Sequence, residues 1–176
     1  MSLHMQSTFN LILLAVCFAG AARSETEKPM TVCGVLSNID VYRGKIITVR
    51  GVFSWTTHGW TLSNNDDFRP CKGVEDRGQM WPGAIYLRVY ESEMERIQTI
   101  LSQPRKILRE HNKQKDKLSI TATFTGELGF DKDVRIVRNK DGSYTGSGYG
   151  QAGQFPAFLM IKDVHDVRLV KKGSED

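Results

Sequence analysis

Apolar and polar residues alternate through residues 45–55, where Ile47, Val49, Phe53 and Trp55 share one face of a strand. The run opens at Gly44 and is interrupted once, at Gly51, with apolar residues on both sides. A glycine inside a strand predicts a bulge or sharp bend. A second strand begins at Trp60-Thr61-Leu62, after a His58-Gly59 turn. In residues 84–90, Ile85, Leu87 and Val89 face one way while Tyr86, Arg88 and Tyr90 face the other. Ser92 and Glu95 form a capping box ahead of a helix whose apolar face is Met94, Ile97 and Leu101; Pro104 ends or kinks it. The fourth strand, 118–128, alternates most cleanly, with Leu118, Ile120, Ala122, Phe124 and Leu128 against threonine, serine and glutamate. A hairpin turns at Asn139-Lys140-Asp141-Gly142, and a last strand, 157–170, bends near Lys162-Asp163. Before the first strand, Val32, Val35, Leu36 and Ile39 have helical spacing.

This order predicts an all-β domain with one or two helices over residues 31–172: a five-stranded OB-type β-barrel with a helix between strands 3 and 4. The 131–145 hairpin is an insertion between strands 4 and 5. Strands pairing in parallel, or two separate sheets without a shared first strand, would refute this fold.

The N-terminal pattern concerns location. Residues 9–22 are apolar, too short to span a bilayer comfortably, and end in small residues. Ala22-Arg23-Ser24 fits a small-x-small cleavage site, with Ala19-Gly20-Ala21 as an alternative. The expectation is a signal peptide over residues 1–24, a flexible leader over 25–30, and an exported protein, periplasmic or secreted, without a stable membrane span after cleavage. Cleavage would take Arg23 and no acid, lowering the formal net charge of +4 by one. So mild a charge does not imply a nucleic-acid partner.

Of three cysteines, only Cys33 and Cys71 would remain after cleavage. In an exported chain the two are expected to pair. The bridge would tie the segment before the first strand to the long Asn-, Asp-, Gly- and Pro-bearing loop over 63–83. No Cys-x-x-Cys or nearby His pair points to metal or redox chemistry.

The pattern Tyr42-Arg43-Gly44-Lys45-x-x-x-Val49-Arg50-Gly51 resembles the opening strand of anticodon-binding-type OB domains. Together with residues 148–159 (Gly148-Tyr149-Gly150-Gln151-Ala152-Gly153-Gln154-Phe155-Pro156-Ala157-x-Leu159) it is similar to a group of uncharacterised secreted bacterial OB-fold proteins. The resemblance covers roughly residues 31–170 and implies fold and location rather than an activity. That group commonly has a histidine where this chain has Gln151, which weighs against a catalytic or metal role for the segment.

Gly148-x-Gly150-x-x-Gly153 matches a dinucleotide fingerprint as text. That fingerprint requires a helix to follow, and here Phe155-Pro156 and a strand follow. The glycines are read instead as allowing close passage or a sharp turn. Outside the predicted signal, the histidines His58, His111 and His165 are far apart, and neither a catalytic motif nor a metal-ligand spacing is visible. No cofactor is expected.

The candidate ligand face is the aromatic-basic stripe Tyr86, Arg88 and Tyr90, extended by Trp60 and Trp81 and rimmed by Arg69 and Lys72. Residues 105–117 are basic and could meet phosphate or an anionic membrane, or could be a solvated connector. The expected function is an exported, non-catalytic binding module for a cell-envelope or protein ligand, the partner being an envelope protein, a glycan or an oligonucleotide. Alternatives are a single-stranded oligonucleotide binder and a metal-dependent hydrolase on an OB scaffold.

Overall fold

A computed structural model describes residues 28–56, 59–65, 68–76, 79–112 and 118–172. The expected signal peptide, His58 and the last part of the basic stretch lie outside the described residues. Among the described residues no helix is long and apolar enough to cross a membrane.

The expected N-terminal helix is two turns, α1 (Val32–Leu36) and α2 (Ile39–Tyr42), following the two-residue strand β1 (Met30–Thr31). Thr31 Oγ1 caps α1 by accepting the Gly34 N–H at 3.0 Å. Ser37 Oγ donates to the Cys33 carbonyl at 2.8 Å, and the Asn38 amide donates to the Gly34 carbonyl at 3.1 Å. Polar side chains thus satisfy the carbonyls at the end of α1 and stop the helix. Val32, Val35, Leu36 and Ile39 are buried, as their spacing required.

Three long strands and a helix dominate the rest. β2 (Ile46–Thr56) leads into β3 (Gly59–Ser63), the short hairpin β4 (Glu75–Asp76) and β5 (Gln79–Met80), then β6 (Ala84–Val89). Helix α3 (Glu91–Asn112) precedes β7 (Leu118–Phe130), the hairpin β8 (Ile136–Arg138) and β9 (Tyr144–Gly146), and finally β10 (Ala157–Lys171). The main sheet has six strands in the order β1-β2-β3-β6-β10-β7, and β7 also pairs with β2. Following the pairings from β2 through β3, β6, β10 and β7 therefore leads back to β2. The interior is apolar, with Leu62, Ile85, Ile120, Phe124, Leu128 and Leu159 all fully buried.

Among the described residues two pairs are parallel: β1 runs alongside β2 at Met30↔Val49 and Thr31↔Arg50, and within the five-strand cycle β10 runs alongside β6 from Phe158↔Tyr86 to Ile161↔Val89. The sequence reading allowed no parallel pair, and this corrects it. A cycle of five strands cannot alternate direction all the way round, so at least one neighbouring pair must run the same way. Here α3 and β7 separate β6 from β10 in the chain, and the crossover brings β10 back in the same sense.

Of the bulge or bend expected at Gly51, the bulge is absent. The β2–β7 ladder runs without a register shift from Ile46↔Glu127 to Phe53↔Ile120, so there is no bulge. A Cβ at Gly51 would lie 2.6 Å from the Ser63 carbonyl oxygen and 3.0 Å from Val32 Cγ2. The glycine lets β3 and α1 close on β2. The bend expected near Lys162 is present as a register shift between Ile161 and Asp163; a second lies between His165 and Arg168, where Asp166 has φ 50°.

Helix α3 starts at Glu91, so Ser92 lies inside its first turn rather than before it. The helix also runs through Pro104 to Asn112, and the basic residues 105–112 are helical. Ile97, Leu101 and Leu108 are buried on both sides of the proline, against β7 and β10. That packing holds the helix together across the missing N–H.

Cys33 and Cys71 form a disulfide across 38 residues, joining α1 to the 64–83 loop. The loop is pinned at its far end too. Gly83 accepts from the Asn64 N–H at 2.9 Å, and a Cβ there would meet the Arg69 carbonyl oxygen at 2.3 Å.

Candidate functional site

β-Strand alternation sends Tyr86 and Arg88 to the exterior of β6. Neither is an open stripe residue. Tyr86 is half-buried and stacks on Phe155, with centroids 6.1 Å apart and planes at 16°. Phe155 in turn meets Phe68 at 6.3 Å. Tyr86 is enclosed by two glycines: a Cβ at Gly59 would lie 2.6 Å from its ring, and one at Gly150 would lie 3.4 Å away.

Arg88 is held over two rings. Its guanidinium carbon lies 4.4 Å from the Phe158 centroid and 5.5 Å from that of Tyr149. Those rings meet edge to face at 4.8 Å. Phe158 itself lies flat on Gly129, where a Cβ would approach its ring to 2.1 Å. Cation–π contact and packing thus fix a flexible side chain while leaving its charge exposed. Burial, followed by the nearby Asp131 carboxylate, raises the Tyr149 phenol above its ordinary value; Arg88 opposes this.

The segment that covers this face is the glycine-rich turn. Tyr149 and Phe155 exchange backbone hydrogen bonds at 2.8 and 3.1 Å, and Gly148 donates to Gly153 at 2.9 Å. Gly150 and Gly153 have φ of 82° and 59°. β10 follows, so the segment is a turn rather than a strand-to-helix phosphate loop.

Between β6, the start of α3 and this turn lies an open groove of about 580 Å³, lined among others by Trp60, Tyr86, Arg88, Met94, Gln151 and Met160. Trp60 pairs with Leu87, on the face opposite Tyr86, and packs edge-on against Phe53 at 5.9 Å. It therefore reaches the groove from the core side. Tyr90 is 44% exposed at the end of β6. Trp81, Arg69 and Lys72 do not line the groove. Trp81 is 6% exposed and packs against Phe130 at 6.0 Å, so it belongs to the core. Arg69 and Lys72 are exposed on the disulfide-bonded loop. Phe68, Tyr149, Phe155 and Phe158 are the additions; Tyr149 and Phe155 stand in or next to the glycine-rich segment, and nothing in the sequence around Phe68 or Phe158 signalled them.

His165 lies on the irregular part of β10, with its ring nitrogens 3.8 Å from Asp163 and 4.0 Å from Asp166. His111 is near the end of α3. Among the described residues no group of three or more His, Cys, Asp or Glu is placed to hold a metal ion. The groove offers the Arg88 cation, the Tyr86 phenol and the Gln151 amide, which suits recognition of a polar, negatively charged group. Comparison with family models, curated proteins and solved structures found no match.

Proposed function

We propose that this chain is an exported, non-catalytic binding module on an OB-type β-barrel, taking an anionic envelope protein or glycan in the β3–β6 groove. The observation that carries the reading is Arg88, fixed over Phe158 and Tyr149 beside a groove walled by glycines. A preorganised cation loses little side-chain freedom on binding, and Gly59 and Gly150 leave room for the Tyr86 and Phe155 rings to seat beside it.

Three observations support the scaffold and location. The five-strand pairing cycle with α3 between its third and fourth members suits an OB-type barrel. The opening strand and the 148–159 segment carry the sequence resemblance to secreted OB-fold proteins. The disulfide suits an oxidising compartment, in keeping with a signal peptide over residues 1–24. N-terminal sequencing of protein from the cell envelope should then begin near Glu25; an intact Met1 in the cytosol would defeat the proposal of export.

The oligonucleotide reading ranks second because base stacking needs an open aromatic face. Tyr86 already stacks on Phe155, and Arg88 lies over Phe158. A screen of the mature protein against acidic and neutral glycans, envelope extracts and oligonucleotides, at low and high salt, separates these readings. Arg88→Gln should weaken binding of the ligand found by at least about tenfold, the size of one charge-assisted hydrogen bond. Binding confined to single strands with a steep salt dependence would favour the second reading.

A further inference from the structure

A second surface carries an independent assignment. Ser102, Arg105, Lys106 and Arg109 stand at i, i+3, i+4 and i+7 on α3 and therefore share one face. With Glu110 they line a groove of about 360 Å³, which shares no lining residue with the β3–β6 groove. Three cations within two turns repel one another, and like charges four apart weaken a helix. The repulsion is visible at Arg105, whose guanidinium is pushed below its ordinary value first by burial and then by Arg109.

Arg105 is the informative residue. Its guanidinium carbon sits 4.6 Å from the Trp55 ring centroid, and its buried Nε has no hydrogen-bond partner. That Nε is closed off from the groove, but the Trp55 contact holds the guanidinium in place, so its terminal nitrogens lose little freedom when they meet an anion. Trp55 fixes the guanidinium from one side, Arg109 and Lys106 add charge from the same helix face, and Ser102 can donate an O–H. A planar fork with two more cations suits a compact oxyanion carrying more than one charge.

We infer that this groove binds a phosphate group, with Arg105 as its fixed donor and Arg109 and Lys106 as its supporting charges. Phosphate could be presented by a small phosphorylated molecule or by a lipid headgroup, and the chemistry of recognition is the same.

The test uses the mature, disulfide-bonded protein at low salt. Inorganic phosphate is titrated in one arm by calorimetry, and phosphatidylglycerol vesicles are tested in the other by co-sedimentation, with phosphatidylcholine vesicles as the reference. The expected result is saturable binding in at least one arm, weakened at least about tenfold by Arg109→Gln and by Arg105→Gln and abolished by high salt. Binding in the phosphate arm assigns a soluble ligand; binding in the vesicle arm alone assigns a headgroup. Because Arg105 packs on Trp55, its variant could perturb folding; Arg109→Gln and Lys106→Gln lie on the exposed face and keep the test independent of that packing. Arg88→Gln should leave this binding unchanged. No saturable binding in either arm, or binding indifferent to Arg109→Gln, overturns the assignment.

Discussion

Replacing both Cys33 and Cys71 with alanine should destabilise the mature protein by roughly 4 kcal/mol. The bridge closes 38 residues, and the chain-entropy relation for a loop of that length gives about that value at room temperature. The packing loss adds little, because the paired alanines keep both Cβ atoms and only the sulfurs go. Cys71 is 2% exposed, so the cavity its sulfur leaves adds a smaller loss of the same sign. For a domain of this size the loss corresponds to a Tm drop of roughly 8–16 °C. Urea unfolding followed by tryptophan fluorescence is a suitable assay, since Trp81 is buried beside the tethered loop. Reducing agent should destabilise the parent protein by a similar amount and leave the alanine pair unaffected. A change below about 1 kcal/mol would refute the reasoning, as would two free thiols in unreduced exported protein by mass spectrometry.

Two further substitutions probe the packing. Gly59→Ala places a Cβ at φ 126° and 2.6 Å from Tyr86; it should cost about 1–3 kcal/mol or more in urea unfolding and displace the Tyr86 ring, visible as a shift in its NMR resonances. Tyr144→Phe removes a buried hydroxyl that has no hydrogen-bond partner, so stability should hold or rise by up to about 1 kcal/mol. Burial raises the Tyr144 and Tyr149 phenols above 10.0; the stability this contributes is complete below about pH 10 and is lost as the pH rises through their folded values. Unfolding measured against pH should show that alkaline loss, less steep in Tyr144→Phe.

Much of the architecture was legible because it is local. Alternation in β7 placed Ile120, Ala122, Phe124 and Leu128 inside, and all four are buried. The two cysteines, the bend near Lys162 and the inserted hairpin were equally local signals. What failed depended on distant partners. Thr123 reads as an outward residue yet is 0% exposed, and Arg50 on β2 reaches within 3.4 Å of its hydroxyl and that of Thr121. Nothing within β7 announces that cover. Gly51 reads as a break, but its neighbours Ser63 and Val32 come from other elements. Pro104 reads as an end or a kink; the helix does not end there, because the burial of Leu108 beyond it outweighs the lost hydrogen bond.

The candidate face shows the same division. Tyr86 and Arg88 were identifiable from alternation alone, but Phe155 and Phe158 lie about seventy residues away in sequence. The odd cycle of strands is what brings them together, through the parallel β6–β10 pair. Trp81, within the long loop, reads as an extension of the Tyr86 face; it packs instead into the core against Phe130, beside the loop that the disulfide and the Gly83 contacts hold down.

Calorimetric titration of the mature protein with the ligand recovered from the envelope screen, alongside Arg88→Gln and Arg109→Gln, tests the central claim most directly. Arg88→Gln should weaken binding at least about tenfold while Arg109→Gln, on the separate α3 groove, leaves it unchanged. Unchanged binding by Arg88→Gln in a folded protein would contradict the placement of the ligand in the β3–β6 groove.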